Sequence, residues 1–158
     1  MAELQPINFT RGVPANESFP IAELIDAATA AFQHHGVAMM QYGPALGFAP
    51  LREWIAQWQG VQPSQVLTGN GSLELIEFLC RMMIRPGDIV FTESPTYDRT
   101  ITLLRRHHAH VVGVPLEPDG PNMTALETAL RKQTPKFFYL IPDFQNPRLA
   151  ETVHATHV

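Results

Sequence analysis

Four short stretches of the chain carry residues whose types and spacing could do chemistry. In VLTGNGSLELIEFL, Gly69, Asn70, Gly71 and Ser72 stand between a branched apolar run and an amphipathic pattern of helical period. A strand that turns into a helix there leaves free backbone N–H groups at the positive end of the helix dipole, which attracts an anion. Glycines let the backbone approach a phosphate, and the Ser72 hydroxyl can donate to it; the same residues also suit a plain tight turn with Ser72 as helix cap. The stretch is not a Walker loop, which needs Gly-Lys-Ser/Thr, nor a dinucleotide fingerprint, which needs a third glycine. In TESPTYDRT, Tyr97 follows a strand and can either stack on a flat ring or pack on its own domain. In IPDFQNP, the Asn146 amide can donate to a ligand oxygen or simply form an Asn-Pro turn. In YGPALGFAPLRE, Tyr42 lies near Gly43 and Gly47, as part of a packed loop or as a reaching side chain.

These residues need elements to hold them. SFPIAELIDAATAAFQHHG predicts a first helix, with Pro20 in its first turn and Gly36 at its exit. PLREWIAQWQG predicts a second, with Leu51, Trp54, Ile55 and Trp58 on one face. From Val61 the pattern alternates. QVLT, DIVFTE, HVVGV and KFFYLI read as strands; SLELIEFLCRMMI, YDRTITLLRRHH and NMTALETALRKQ read as helices, the first of them buried. Strands separated by helices of about a dozen residues give a mostly parallel sheet with helices on its faces. The fold class is α/β with an N-terminal helical arm.

Bulk properties narrow the function. The chain has 158 residues, 45% hydrophobic and 16% charged, enough for one globular domain with a core. Its net charge of -4 is not the basic footprint of a nucleic-acid binder, so no nucleic-acid partner is expected. No apolar run approaches the roughly 20 residues of a membrane helix, so no membrane partner is expected either. MAELQPINFTRG lacks the basic and apolar regions of a secretory signal, and Cys80 is the single cysteine, within an apolar helix. A buried structural thiol in a reducing, cytoplasmic setting is the expectation. His107, His108 and His110 in RRHHAHVV suggest a metal site only weakly, because no Cys or carboxylate ligand set accompanies them.

Taken in order, INFTRGVPANESFP, YGPALGFAPLREWIA, LTGNGSLELIEFL, ESPTYDRT, VPLEPDG and YLIPDFQNP resemble the N-terminal half of a pyridoxal-phosphate-dependent aminotransferase of fold type I. The subgroup is that of the 2-aminoadipate-type aminotransferases and their MocR-like regulator relatives, in which FQNP is typical. The resemblance spans residues 7 to 147. It implies part of a three-layer, mostly parallel large domain, truncated, with an arm over residues 1–45, a partial cofactor domain over 46–147 and an unmatched tail over 148–158. It implies further that Gly71, Ser72 and Leu73 cradle the phosphate of pyridoxal 5'-phosphate, Leu73 through its backbone N–H where the family often has a polar residue. Tyr97 would stack on the pyridine ring, and Asn146 would bond the ring's phenolic oxygen. Gly12 would lie beside the carboxylate of an amino acid or 2-oxo acid substrate. Tyr42 would reach the phosphate of the neighbouring subunit in a homodimer. His108 stands where the family usually ends a helix with glycine.

The family's chemistry also needs a lysine that holds the cofactor covalently and shuttles a proton. The chain has two, Lys132 at the end of a polar helix and Lys136 at the start of KFFYLI, and neither has the family's lysine context. After Asn146 and Pro147 the family continues with one residue and a glycine, whereas here Arg148 and Leu149 follow and RLAETVHATHV matches nothing. The expectation is a frameshift or equivalent truncation after Pro147, an inactive aminotransferase fragment, and a sheet with an exposed edge and an uncovered apolar face. The other readings are a non-catalytic pyridoxal-phosphate- or phosphate-binding module, one part of a split enzyme, and an unrelated α/β phosphate-binding domain.

Overall fold

The structure, a computed structural model, describes residues 14–148. The chain divides into two compact units on either side of the Thr68–Gly69 junction.

The first unit is helical. A 3-10 turn, Asn16–Ser18, precedes α1, Ile21–Met40. Pro20 is the N-cap of α1, one residue outside the helix. The helix does not leave at Gly36 but runs on for another turn. Ala38, Met39 and Met40 are strong helix formers, so a mid-helix glycine at a cost of about 1 kcal/mol does not end it. None of the 20 residues of α1 is buried. Helix α2, Ala49–Gln59, carries Pro50 in its first turn and stops at Gly60, whose φ of 66° lets its N–H turn back to Ala56 and Gln57 carbonyls. Ala56 is its one buried residue, and the Trp54 and Trp58 rings lie 5.4 Å apart on a largely exposed face.

QVLT forms no strand. Val66 is extended (φ -109°, ψ 130°) and buried, but its carbonyl accepts from Arg52 Nε at 2.7 Å, not from a neighbouring strand. Thr68 N–H donates to the Leu46 carbonyl at 3.0 Å. An extended backbone becomes a strand only when a ladder partner lies beside it, and among the described residues none does.

The second unit holds a four-stranded sheet of order β3-β2-β1-β4. Strand β1, Ile89–Ser94, is central; it pairs in parallel with β2, His110–Glu117, from Ile89↔His110 to Ser94↔Pro115. On its other side it pairs in parallel with β4, Phe138–Tyr139. Strand β3, Gly120–Pro121, unseen in the sequence pattern, folds back antiparallel on β2. KFFYLI thus contributes a ladder of two residues only. The sheet is mostly parallel, as expected, with β3 in place of QVLT.

Three helices accompany the sheet: α3, Ser72–Met83; α4, Asp98–Arg106; and α5, Met123–Lys132. Asn122 caps α5, its Oδ1 accepting from Ala125 N–H at 2.7 Å. Buried Cys80 of α3, Val90 of β1 and Leu104 of α4 form the core, against which Ile76, Ile84, Ala109, Val111 and Phe137 pack. The expectation that α3 is buried does not hold: Cys80 alone is buried, while Phe78 is 48% and Met82 83% exposed. The apolar residues of α3 go round more of the helix than the sheet covers. After α4, His108 takes φ 56°, the left-handed conformation glycine usually supplies, while its N–H donates to the Arg105 carbonyl.

Candidate functional site

The start of α3 is built on backbone alone. Gly71 is the N-cap with φ 103°, a conformation open to glycine, and no side chain caps the helix. Ser72 is therefore the first helical residue and not the cap. A Cβ at Gly71 would meet nothing within 4 Å, so the space around this turn is open. Gly69 differs, because a Cβ there would come 2.7 Å from Leu75 Cδ2. Glu74 folds back and its Oε2 accepts from Asn70 N–H at 2.6 Å, which satisfies one loop donor. The first-turn N–H groups of an α-helix have no carbonyl partner within it. Free N–H groups at such a helix start, with the helix dipole, favour an anion. Leu73 and Glu74 also line an open concavity of about 330 Å³ with Arg99, Thr102 and Arg106, which run along the length of α4.

Tyr97 is the N-cap of α4, half-buried, three residues beyond the end of β1. Asn146 lies in the turn after β4 with an exposed side chain that bonds no described residue. The Ser94–Pro95 and Asn146–Pro147 peptide bonds are both cis. Two buried residues that sequence reasoning passed over bring these stretches together. Glu93, 1% exposed at the end of β1, accepts from Thr96 Oγ1 at 3.3 Å and from Gln145 Nε2 at 3.1 Å. Gln145, also 1% exposed, donates to the Pro95 carbonyl at 2.9 Å. The neighbours of Tyr97 and Asn146 are thus bonded to one carboxylate. A glutamate at a strand end reads as a solvated charge, and only the FQNP phrase hinted that position 145 matters.

The other expected residues lie elsewhere. Tyr42, in the first unit, has a fully exposed side chain. Gly12 lies outside the described residues. Lys136 opens the segment that leads into β4: its N–H donates to the Ile89 carbonyl and its Nζ is 3.5 Å from Asp88 Oδ2, at the start of β1. Tyr97 lies beyond the opposite end of that strand. Lys132 is the last residue of α5.

The remaining polar groups have structural partners. His107 Nε2 donates to Glu77 Oε2 at 2.8 Å, and Arg81 Nε to Glu77 Oε1 at 2.7 Å. These hydrogen bonds, from His107 first and Arg81 second, hold the Glu77 carboxyl below the usual carboxylate range. Burial pushes the Cys80 thiol up, with the Glu77 charge adding to it, so this cysteine is poorly nucleophilic. Among the described residues no group of three or more His, Cys, Asp and Glu could hold a metal ion, and no helix is long and apolar enough to cross a membrane.

Comparison with known proteins shows the family. The family described as aminotransferase class I and II matches residues 5–147. A 2-aminoadipate transaminase of Thermus thermophilus is 38% identical over 141 residues, covering 89% of this chain and 36% of that protein. The aromatic-amino-acid aminotransferase 1 of Thermococcus litoralis is 31% identical over the same shares, 89% and 36%. Among solved structures, the LysN α-aminoadipate aminotransferase of Thermus thermophilus, complexed with N-(5'-phosphopyridoxyl)-L-leucine, superposes with a TM-score of 0.83 at 38% identity. The match covers 91% of this chain and 37% of that one. The chain therefore spans little more than a third of the length of the relatives it matches. Over that span, by sequence and by fold, it belongs to the class I and II aminotransferases.

Proposed function

We propose that the chain supplies the phosphate cradle and ring contacts of a pyridoxal-phosphate-dependent aminotransferase, an enzyme that moves an amino group between an amino acid and a 2-oxo acid. One observation carries the reading: α3 starts at a left-handed Gly71 with no side-chain cap and open space beside it. The residues present fit the cofactor. The N–H groups of Gly71 to Leu73 and the Ser72 hydroxyl would take its phosphate, half-buried Tyr97 would cover one ring face, and the unpartnered Asn146 amide would donate to the phenolic oxygen. Pyridoxal phosphate, when bound, supplies the electron sink for the reaction. Asn146 orients it, and Tyr97 keeps water from one face.

Neither lysine of this chain belongs to that site. Lys136 is committed to Asp88 at the start of β1, and Lys132 ends α5. The 158-residue chain therefore binds the cofactor without a covalent bond and does not transaminate alone. The solved relative with a phosphopyridoxyl-leucine adduct supports the cofactor assignment. The exposed Tyr42 supports a homodimer in which it reaches a partner's phosphate, and Gly12 is assigned to the substrate carboxylate by the same reading. The division into an arm over 1–45, a cofactor domain over 46–147 and a tail over 148–158 belongs to this proposal, as does a cytoplasmic setting.

Equilibrium dialysis against pyridoxal 5'-phosphate and against pyridoxal, followed by borohydride reduction and peptide mapping, tests it. Retention of the phosphorylated form alone, with no reduced adduct on either lysine, is the expected result. Equal retention of both compounds, or specific reduction onto Lys132 or Lys136, would overturn it.

A further inference from the structure

The most deeply buried polar group near the strand ends is not one of the proposed cofactor contacts. We infer that Glu93 and Gln145 form a clamp that fixes the turn carrying Asn146 against the end of β1, and that they act as positioning residues for the cofactor ring. The inference rests on the assignment of Asn146 as the ring contact. Every polar side-chain atom of the pair has a stated partner. Glu93 Oε1 accepts from Ile141 N–H at 3.0 Å; its Oε2 accepts from Thr96 Oγ1 at 3.3 Å and Gln145 Nε2 at 3.1 Å. Gln145 Nε2 donates also to the Pro95 carbonyl at 2.9 Å, and Gln145 Oε1 accepts from Arg148 N–H at 2.8 Å.

The pattern admits one orientation of the Gln145 amide. A flip would set its oxygen against the Glu93 carboxylate and the Pro95 carbonyl, and its NH₂ against Arg148 N–H. Both ends of the 141–148 segment are thereby fastened, one through Ile141 and the other through Arg148. Within residues 142–148 only Gln145 is buried; Phe144 is 81% exposed and takes φ 54°. The turn has no apolar anchor of its own. An apolar side chain at 145 could fill the same volume, but only directional bonds fix how residue 146 faces. No described cation pairs with Glu93. A buried carboxylate is tolerated when hydrogen bonds satisfy it, and here three donors converge on it.

The test uses the full 158-residue chain and a double-mutant cycle of Gln145→Leu with Asn146→Ala, read by the Kd for pyridoxal 5'-phosphate and by amide exchange. Each single change is expected to raise Kd about tenfold, the scale of one hydrogen bond to a charged group. The double variant is expected to be no weaker than the weaker single one, because both remove the same contact. Exchange should quicken at Ile141 and Arg148 in Gln145→Leu while far-UV circular dichroism stays unchanged. Multiplying effects, about a hundredfold in the double variant, would overturn the inference, as would an unchanged Kd in Gln145→Leu. Should Gln145→Leu fail to fold, Glu93→Gln with Asn146→Ala carries the cycle, since an amide at 93 has one acceptor oxygen and cannot serve both Ile141 N–H and Gln145 Nε2. Glu93→Gln is expected to weaken binding and the double variant to be no weaker than the weaker single one; multiplying effects, or an unchanged Kd in Glu93→Gln, count against the clamp. If the wild-type chain does not distinguish pyridoxal phosphate from pyridoxal, the cofactor reading has failed. Exchange at Ile141 and Arg148 then decides the clamp alone: faster in Gln145→Leu upholds it, unaltered removes it.

Discussion

Strand β1 and helix α1 are opposites within one chain. Of the six residues of β1, Val90, Phe91, Thr92 and Glu93 are buried, while none of the 20 residues of α1 is. Yet α1 is not polar: Ile21, Leu24, Ile25 and Phe32 are each about half exposed. The difference shows which parts of the fold the chain completes by itself. β1 finds a ladder partner on each side and helices that close over Val90. α1 has the composition of a packed helix and, among the described residues, nothing that buries it. Helices of this kind draw their stability from tertiary burial more than from propensity.

The strongest way to break the comparison is a pair of truncations. Leu104→Ala removes a fully buried side chain from the Cys80–Val90–Leu104 core, and a cost of about 2–5 kcal/mol in urea unfolding is expected. Leu24→Ala, at a position 54% exposed, should cost about 0.5 kcal/mol or less. Equal costs would mean that α1 is buried in solution, and the contrast would fall.

The first unit does have one tight point. Gly47 has φ 104°, and a Cβ there would sit 1.9 Å from Thr68 Oγ1 and 3.1 Å from its Cβ. Gly47→Ala therefore combines a strained backbone with a clash against a branched side chain that cannot swing clear. A loss of roughly 2–3 kcal/mol is expected, read as a lower thermal midpoint. No loss would show that the Gly47–Thr68 approach is loose and that the first unit lacks even this local order.

What the sequence disclosed follows the same division. Apart from β3, the run from β1 to α5 was legible because its signals are local: DIVFTE and HVVGV as branched runs, YDRTITLLRRHH and NMTALETALRKQ as helical patterns. Gly71 and Tyr97 were legible as helix starts for the same reason, each standing just before a pattern of helical period. QVLT failed because a strand needs a partner, and no local pattern states whether one exists. Gly36 failed because helix formers on both sides outweighed one glycine. The Glu93–Gln145 pair was invisible because the burial of a charged residue was decided by a side chain 52 positions away. The comparison thus extends to legibility: local chemistry is readable, and long-range satisfaction of polar groups is not.

A smaller effect sharpens the account of the second unit. His108 holds φ 56° after α4, and its side chain is exposed. His108→Gly removes the left-handed penalty but adds freedom to the unfolded chain, so the net gain should be about 0.5–1 kcal/mol. A higher thermal midpoint checks it. A loss would mean that the imidazole makes a contact worth more than the backbone strain.

The smallest effect concerns the polar link between α3 and α4. Glu77 accepts from His107 at the end of α4 and from Arg81 one turn along α3, and these bonds hold its carboxyl below the usual range. A carboxyl whose folded-state pKa is lowered binds protons less readily when folded than when unfolded. Its contribution is therefore complete above the unfolded value, about 4.3, and disappears as pH falls through the lower folded value. Glu77→Gln removes this dependence. The urea midpoints of wild type and variant should differ near pH 6 and draw together as the pH falls below the unfolded value of about 4.3. The Glu77 side chain is 26% exposed and that of Arg81 69%, so solvent screens the link and the difference should shrink in added salt. Midpoints that run parallel across the whole range would mean the carboxylate adds nothing. The core of Cys80, Val90 and Leu104 would then account for the junction of α3 and α4 without help from its rim.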